Sequence, residues 1–441
     1  MPKETDIPRY VYFNSGNCTG CGACVKSCPT RAIRIKNGKS ILLTDSCIGC
    51  GECIRVCPQG CITPAPFDPG AFKKEKLPVL FVAPVLYSQF PDARPRDVLI
   101  GLRRMGFKHI VDMTYFFEMF QWATHRFIRE KTPELPVLST MCPVVLRLVA
   151  FKYPGLFGHL NQVLRPVSII VKEAAALIAR RHRARLSDLS IFYLNPCPTK
   201  MGLEESARLK QSPYISRAIG INQIYPELKE HITDIMASDT LDFVETGFEF
   251  EQPPCGEGIL WSVCGGESAG LKLDKTLSIS GLDETMLYLE KTELDIFKDF
   301  SFIEFRACKE GCVGGSLCAV DKYVAKSAVR KISGRISKSR NFSREIKDRF
   351  YEQKWVPDKT TTEQMEKIFG RKKKPLSIRS LTEIDALYRR LPGYNCSACG
   401  APDCYAFAED VIRHRSKLKD CIFFKGGDKG DSERTCGQAR T

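Results

Sequence analysis

No apolar run in this sequence reaches the roughly 20 residues that a membrane helix needs; the best candidate, 168–179, is interrupted by Lys172 and Glu173. A role spanning a membrane is therefore not expected. The opening residues Met1-Pro2-Lys3-Glu4-Thr5-Asp6 lack the apolar stretch of a signal peptide, so the expected location is cytoplasmic. What the chain has in excess is cysteine, 21 in 441 residues. A reducing compartment makes disulfides a poor explanation for them and metal ligation a better one. The formal charge of +15 counts every cysteine as neutral. Cluster ligands are thiolates, and four 4Fe-4S clusters at about −2 each would bring the balance to roughly +7. The length suggests two to four domains.

Cys18-Thr19-Gly20-Cys21-Gly22-Ala23-Cys24 followed by Cys28-Pro29 is a C-x2-C-x2-C-x3-C-P run, and Cys47-Ile48-Gly49-Cys50-Gly51-Glu52-Cys53 followed by Cys57-Pro58 repeats it. Three closely spaced cysteines wrap one corner of a cubane and the fourth ligates the other cluster. The pattern predicts Cys18, Cys21, Cys24 and Cys57 on one 4Fe-4S cluster, and Cys47, Cys50, Cys53 and Cys28 on a second. A zinc site uses paired C-x2-C motifs without the third and fourth cysteines or the trailing proline. Cys61 lies outside the pattern and is expected to be structural.

After a proline-punctuated connector the run Leu77-Pro78-Val79-Leu80-Phe81-Val82-Ala83-Pro84 reads as a buried strand. Helical patterns then alternate with short apolar runs such as Ile191-Phe192-Tyr193-Leu194, which favours an α/β core. Three motifs in this region resemble those of FeFe-hydrogenases, whose signatures are TSCCPxW, MPCxxK and ExMxCxGGCxxGG. They read here Ser139-Thr140-Met141-Cys142-Pro143, Asn195-Pro196-Cys197-Pro198-Thr199-Lys200 and, from Glu304, Phe305-Arg306-Ala307-Cys308-Lys309-Glu310-Gly311-Cys312-Val313-Gly314-Gly315. A glycine-rich stretch, Gly256-Glu257-Gly258-Ile259-Leu260-Trp261-Ser262-Val263-Cys264-Gly265-Gly266, is similar to another family segment. The resemblance implies that Cys142, Cys197, Cys308 and Cys312 hold the cubane of an H-cluster. Cys312 would also bridge to a diiron subcluster with CO, cyanide and a bridging dithiolate. It further implies that Lys200 pairs with a cyanide, that backbone near Ala83 and Pro84 lines the pocket, and that Asn195 and Arg306 stand where the family's pocket methionines do. Glycines at Gly311, Gly314 and Gly315 would let the main chain approach the inorganic core.

The departures concern proton transfer. Met141 replaces the family's proton-donating cysteine, and a thioether cannot relay a proton. The family's D-x-T-x-x-E-E-x-x-E relay run reads here from Asp112 to Gln121, retaining Glu118 but ending in an amide. Glu204 stands one residue late for the second motif's glutamate, whose position is Leu203.

The 371–375 run is basic, but without an aromatic platform it gives no ground for nucleic-acid binding. Cys396, Cys399, Cys404 and Cys421, spaced C-x2-C-x4-C-x16-C, resemble the small cluster-binding domain of RnfB-type and corrinoid iron-sulfur proteins and imply another 4Fe-4S cluster; Cys436 is expected to be free. The expected architecture is a two-cluster ferredoxin-like domain (1–62), an α/β hydrogenase-like core (78–320), a basic helical linker (321–380) and a small, mostly helical cluster module (381–441). This layout resembles that of sensory FeFe-hydrogenases. It implies slow chemistry on H2 and protons, diiron maturation proteins and an electron-transfer or signalling partner. The rival expectation is an electron-transfer or cluster-carrier protein that keeps only the cubane.

Overall fold

The computed structural model describes residues 11–68, 72, 74–131, 133–163, 166–201, 215–238, 254–336, 348 and 376–424. Leu203, Glu204, the 371–375 run and Cys436 lie outside them.

The N-terminal unit contains the antiparallel pair β1 (Tyr12–Phe13) with β4 (Ile62–Thr63), and the hairpin β2 (Ile33–Lys36) with β3 (Lys39–Leu42). Asn37-Gly38 closes the hairpin with both residues at positive φ, the conformation that matches the twist of two-residue hairpins.

In the core, β5 (Leu77–Val82), β6 (His109–Asp112), β8 (Leu189–Asn195) and β9 (Ile215–Gly220) form an all-parallel sheet in the order β6-β5-β8-β9. Val79 to Val82 and Ile191 to Leu194 are almost fully buried, which explains why these strands read as unbroken apolar runs rather than alternating ones. A second parallel sheet has the order β10-β11-β7, from β10 (Thr276–Ser280), β11 (Phe302–Arg306) and β7 (Val137–Leu138). Parallel pairing requires crossovers, and the helices Pro95–Arg104, between β5 and β6, and Leu282–Glu293, between β10 and β11, supply two of them.

The linker expected over 321–380 instead begins with a helix of the core. Lys322–Ser333 buries Ala325, Ala328, Val329 and Ile332 against the main cluster, and its lysines occupy the outer face. A basic helix and a basic linker share a composition; the apolar stripe at three- and four-residue spacing is what separates them. At the C-terminus, helices Ile378–Arg390 and Cys404–Ile412 pack around Ile384, Leu387 and Phe407. Among the described residues no helix is long and apolar enough to cross a membrane.

Candidate cluster-binding site and its pocket

The site collects at the carboxyl ends of parallel strands, where open α/β sheets place their ligands. Ala83 and Pro84 follow β5, Met141 and Cys142 follow β7 after a short turn, Cys197 follows β8, and Cys308 and Cys312 follow β11. Local sequence fixes each thiol. Cys142 caps the helix that Pro143 opens, and proline is pre-shaped for that first position. Asn195 accepts a hydrogen bond from Cys197 N (2.9 Å) and donates one to Tyr193 O (3.1 Å), an Asx turn that presents the thiol. Its side chain is thereby committed to the loop and is not among those lining the pocket.

The four cysteines lie within electrostatic reach of one another. Burial pushes the Cys197 and Cys308 thiols up, and the negative charge of Cys142 and Cys312 pushes each further. Thiols that burial and mutual repulsion keep protonated ionise readily only against a cationic core, which is the donor chemistry of an iron-sulfur centre. Among the described residues no three His, Cys, Asp or Glu side chains converge tightly enough for one metal ion, whereas a cubane spreads its thiolates around a wider core.

Beside this set lies a mostly apolar pocket whose lining includes Ala83, Pro84, Met113, Phe117, Met141, Tyr193, Lys200, Trp261, Ser262 and Cys312. Burial alone would lower the pKa of Lys200; negative charge on Tyr193, Cys312 and Cys197 overcomes it and holds the group above the ordinary lysine range. Lys200 is thus the buried group of this pocket that ionised Cys197 and Cys312 would hold as an ammonium. Trp261 Nε1 and Ser262 Oγ are buried with no hydrogen-bond partner among the described residues. An ammonium and two unused donors in an apolar chamber suit a compact anionic group rich in acceptors, which is the character of a diiron unit carrying cyanide and CO. Trp261 and Ser262 lie within the glycine-rich stretch, but nothing in its spacing singles them out. Glu118 is half-buried and is not among the lining side chains. Gln121 is buried, and its Nε2 has no partner among the described residues.

Two expectations change in physical content. The glycines after Cys308 permit contact between main chains: a Cβ on Gly311 would lie 2.5 Å from Cys264 N, and one on Gly315 would lie 2.5 Å from Pro196 O. Arg306 does not line the pocket either. Its guanidinium is bound by Glu304 (2.8 Å) and Glu267 (3.1 Å), with all three side chains at most 2% exposed. Alternation along β11 puts Glu304 and Arg306 on one face. There Ser268 N donates to Glu304 (2.9 Å), and Ser139 Oγ donates to Glu267 (2.6 Å). Burial pushes the Glu267 carboxyl up to about 8; Arg306 pulls it down, but Glu304 opposes that pull. Sequence reading missed Glu267, although a buried arginine in a methionine's place calls for an anion nearby.

In the N-terminal unit Cys24 is raised to about 11, by burial first and then by charge on Cys18, Cys21 and Cys57. Cys50 and Cys53 are raised by burial and then by charge on Cys28 and Cys47. These groupings bring together the residues of each expected set. Cys61 is not remote from them, since its Sγ lies 3.2 Å from that of Cys57. At the C-terminus, Cys399 is raised by burial and by charge on Cys421 and Cys396, while Cys404 opens the helix Cys404–Ile412.

Comparison with known proteins gives three family matches. Residues 10–58 match a 4Fe-4S dicluster domain, residues 76–239 match the iron only hydrogenase large subunit, C-terminal domain, and residues 391–423 match an Fe-S cluster family. An uncharacterized protein of Methanocaldococcus jannaschii is 40% identical over 43 residues, 10% of this chain; the chain spans 19% of that relative's length. Among solved structures, one that revealed stepwise H-cluster assembly in an FeFe-hydrogenase is similar with a TM-score of 0.49 and 13% identity, over 68% of this chain and 96% of that one. A variant FeFe-hydrogenase of Chlamydomonas reinhardtii is similar with a TM-score of 0.48 and 14% identity, over 67% and 93%. Residues 76–239 are thus similar to the C-terminal domain of the iron only hydrogenase large subunit, and matches to iron-sulfur cluster domains flank them on both sides.

Proposed function

We propose that this protein binds H2 and slowly oxidises or forms it at an H-cluster, serving as a H2 or redox sensor whose electrons pass through 4Fe-4S clusters to a cytoplasmic electron-transfer or signalling partner. The observation that carries the reading is a set of four mutually interacting thiols beside a pocket that one of them, Cys312, lines together with Lys200 and two buried donors without partners among the described residues. Cys142, Cys197, Cys308 and Cys312 would hold the cubane, and Cys312, which also lines the pocket, would be shared with a diiron subcluster supplied by maturation proteins. When bound, that subcluster supplies the redox chemistry on H2.

The chain's own residues then do the following. Lys200 offers its ammonium to an anionic ligand, Trp261 Nε1 and Ser262 Oγ offer hydrogen bonds, and Met113 and Phe117 keep water out. Met141 fills the place of a proton-donating thiol without being able to donate, so the proton route through Glu118 is interrupted at its first step. Slow turnover suits a sensor, which needs binding to set a redox state rather than flux. Three further sets would hold the remaining cubanes: Cys18, Cys21, Cys24 and Cys57; Cys47, Cys50, Cys53 and Cys28; and Cys396, Cys399, Cys404 and Cys421.

Protein produced anaerobically with the diiron maturation proteins is expected to show CO and cyanide stretching bands in the infrared. Fully matured protein without such bands, and with iron for four cubanes only, would reduce the function to electron transfer or cluster carriage.

A further inference from the structure

The C-terminal module is docked on the N-terminal unit through residues that flank its own cysteines. Gly400, next to Cys399, accepts a hydrogen bond from Ile35 N of β2 (2.8 Å). Asp403, next to Cys404, pairs with Arg31 (2.8 Å), and Asp420, next to Cys421, lies 4.0 Å from Lys36. Lys36 also donates to Ser416 (2.7 Å). At the centre, Arg34 and Asp410 form a two-pronged ion pair with side chains 6% and 1% exposed. Gly400 shows how tight the joint is. Its φ is +83°, and an added Cβ would lie 2.1 Å from Ile35 O.

The other strand of the same hairpin holds Cys18. Ser40 N approaches the Cys18 sulfur (3.4 Å), and Lys39 donates to Cys18 O (2.7 Å). The second N-terminal cysteine set faces the core, where Thr199 donates to Gly49 O (2.5 Å) and Arg55 to Gly314 O (2.5 Å).

We infer that the terminal cluster is wired in series with the others, across the hairpin to the Cys18 set, on to the Cys47 set and then to the core, and that the Arg34–Asp410 pair and Gly400 hold this junction closed. The inference rests on reading the cysteine sets as clusters. The step is outer-sphere: one electron from the neighbouring reduced cluster reduces the terminal cluster, which is reoxidised by a one-electron acceptor outside the chain. No bond is made or broken.

The test is electron paramagnetic resonance of dithionite-reduced holoprotein, with iron content measured alongside. Magnetic interaction between the terminal cluster and its neighbour is expected to broaden and speed the relaxation of the terminal signal. Two variants attack the joint independently, Gly400→Ala by collision and Asp410→Asn by leaving Arg34 unpaired. Both are expected to keep the iron content and lose the broadening. An unbroadened terminal signal in the parent, or broadening that survives both variants, overturns the junction. Parent protein with iron for fewer than four cubanes and no terminal signal instead overturns the reading of Cys396, Cys399, Cys404 and Cys421 as a cluster. If a variant loses the terminal cluster's iron, its Arg34→Met counterpart, which alters only the N-terminal side, must show the loss of broadening, or the inference fails.

Discussion

Replacing Arg306 with methionine, the residue FeFe-hydrogenases carry at this motif position, is expected to damage this protein. The guanidinium stands between Glu267 and Glu304, both fully buried, and is the cation they share. Removing it leaves two carboxylates facing each other in a low-dielectric interior. Breaking a buried pair from one side costs about 3–5 kcal/mol, because the remaining carboxyls keep only the bonds from Ser139 Oγ and Ser268 N in place of the cation. For a core of this size that is a fall of about 10 °C in the melting midpoint. Glu267→Leu on top of Arg306→Met removes the surplus carboxylate and leaves Glu304 with its bond from Ser268 N, so the pair should regain about 1–3 kcal/mol over the sum of the single changes. The assay is guanidinium unfolding of the parent, both single variants and the double, followed through cluster absorbance. Arg306→Met that unfolds with the parent, or a double variant no more stable than the sum, would refute the idea that arginine and glutamate form one ionic unit.

Three further outcomes follow from the same geometry. Because the folded-state pKa of Glu267 is about 8 against an ordinary 4.5, the folded protein binds more protons in that window, so stability should fall as pH rises through it, by up to a few kcal/mol, and Glu267→Gln should flatten the slope. Cys399→Ala should remove the terminal cluster's signal while the N-terminal clusters remain reducible by dithionite; loss of the N-terminal signals would refute their independent assembly. Met141→Cys should raise H2 oxidation with an artificial acceptor by less than about tenfold, although a positioned proton donor is worth about 100-fold to 10,000-fold, because Gln121 still interrupts the route; adding Gln121→Glu should give a markedly non-additive gain. Parent turnover as fast as that of productive hydrogenases would show that another proton route bypasses Met141.

The parts of the molecule that were legible in the sequence are those written in local spacing. The doubled cysteine run, the buried apolar strands and the cysteines beside Pro143 and Pro198 all announce themselves within a few residues. What stayed hidden depends on distant partners. Arg306 reads as a polar intrusion into the pocket until Glu267, 39 residues earlier, is seen to bind it. The helix Lys322–Ser333 reads as linker because its charges dominate its composition, while its four buried apolar side chains matter only once the core is there to receive them. The Arg34–Asp410 pair spans 376 residues, and neither partner belongs to a recognisable motif.

Thr199 stands between Cys197 and Lys200, yet its hydroxyl is spent on the loop that carries Cys47 and Cys50, donating to Gly49 O and approaching Ile48 O (3.3 Å). If these two cysteine sets hold clusters as proposed, Thr199 ties the loading and loss of iron at one to the other. A cluster seated in the Cys47 loop would stiffen the footing under Cys197, and loss of that cluster would loosen it. The protein would then gain its metal from the edge inward and lose it in the same direction.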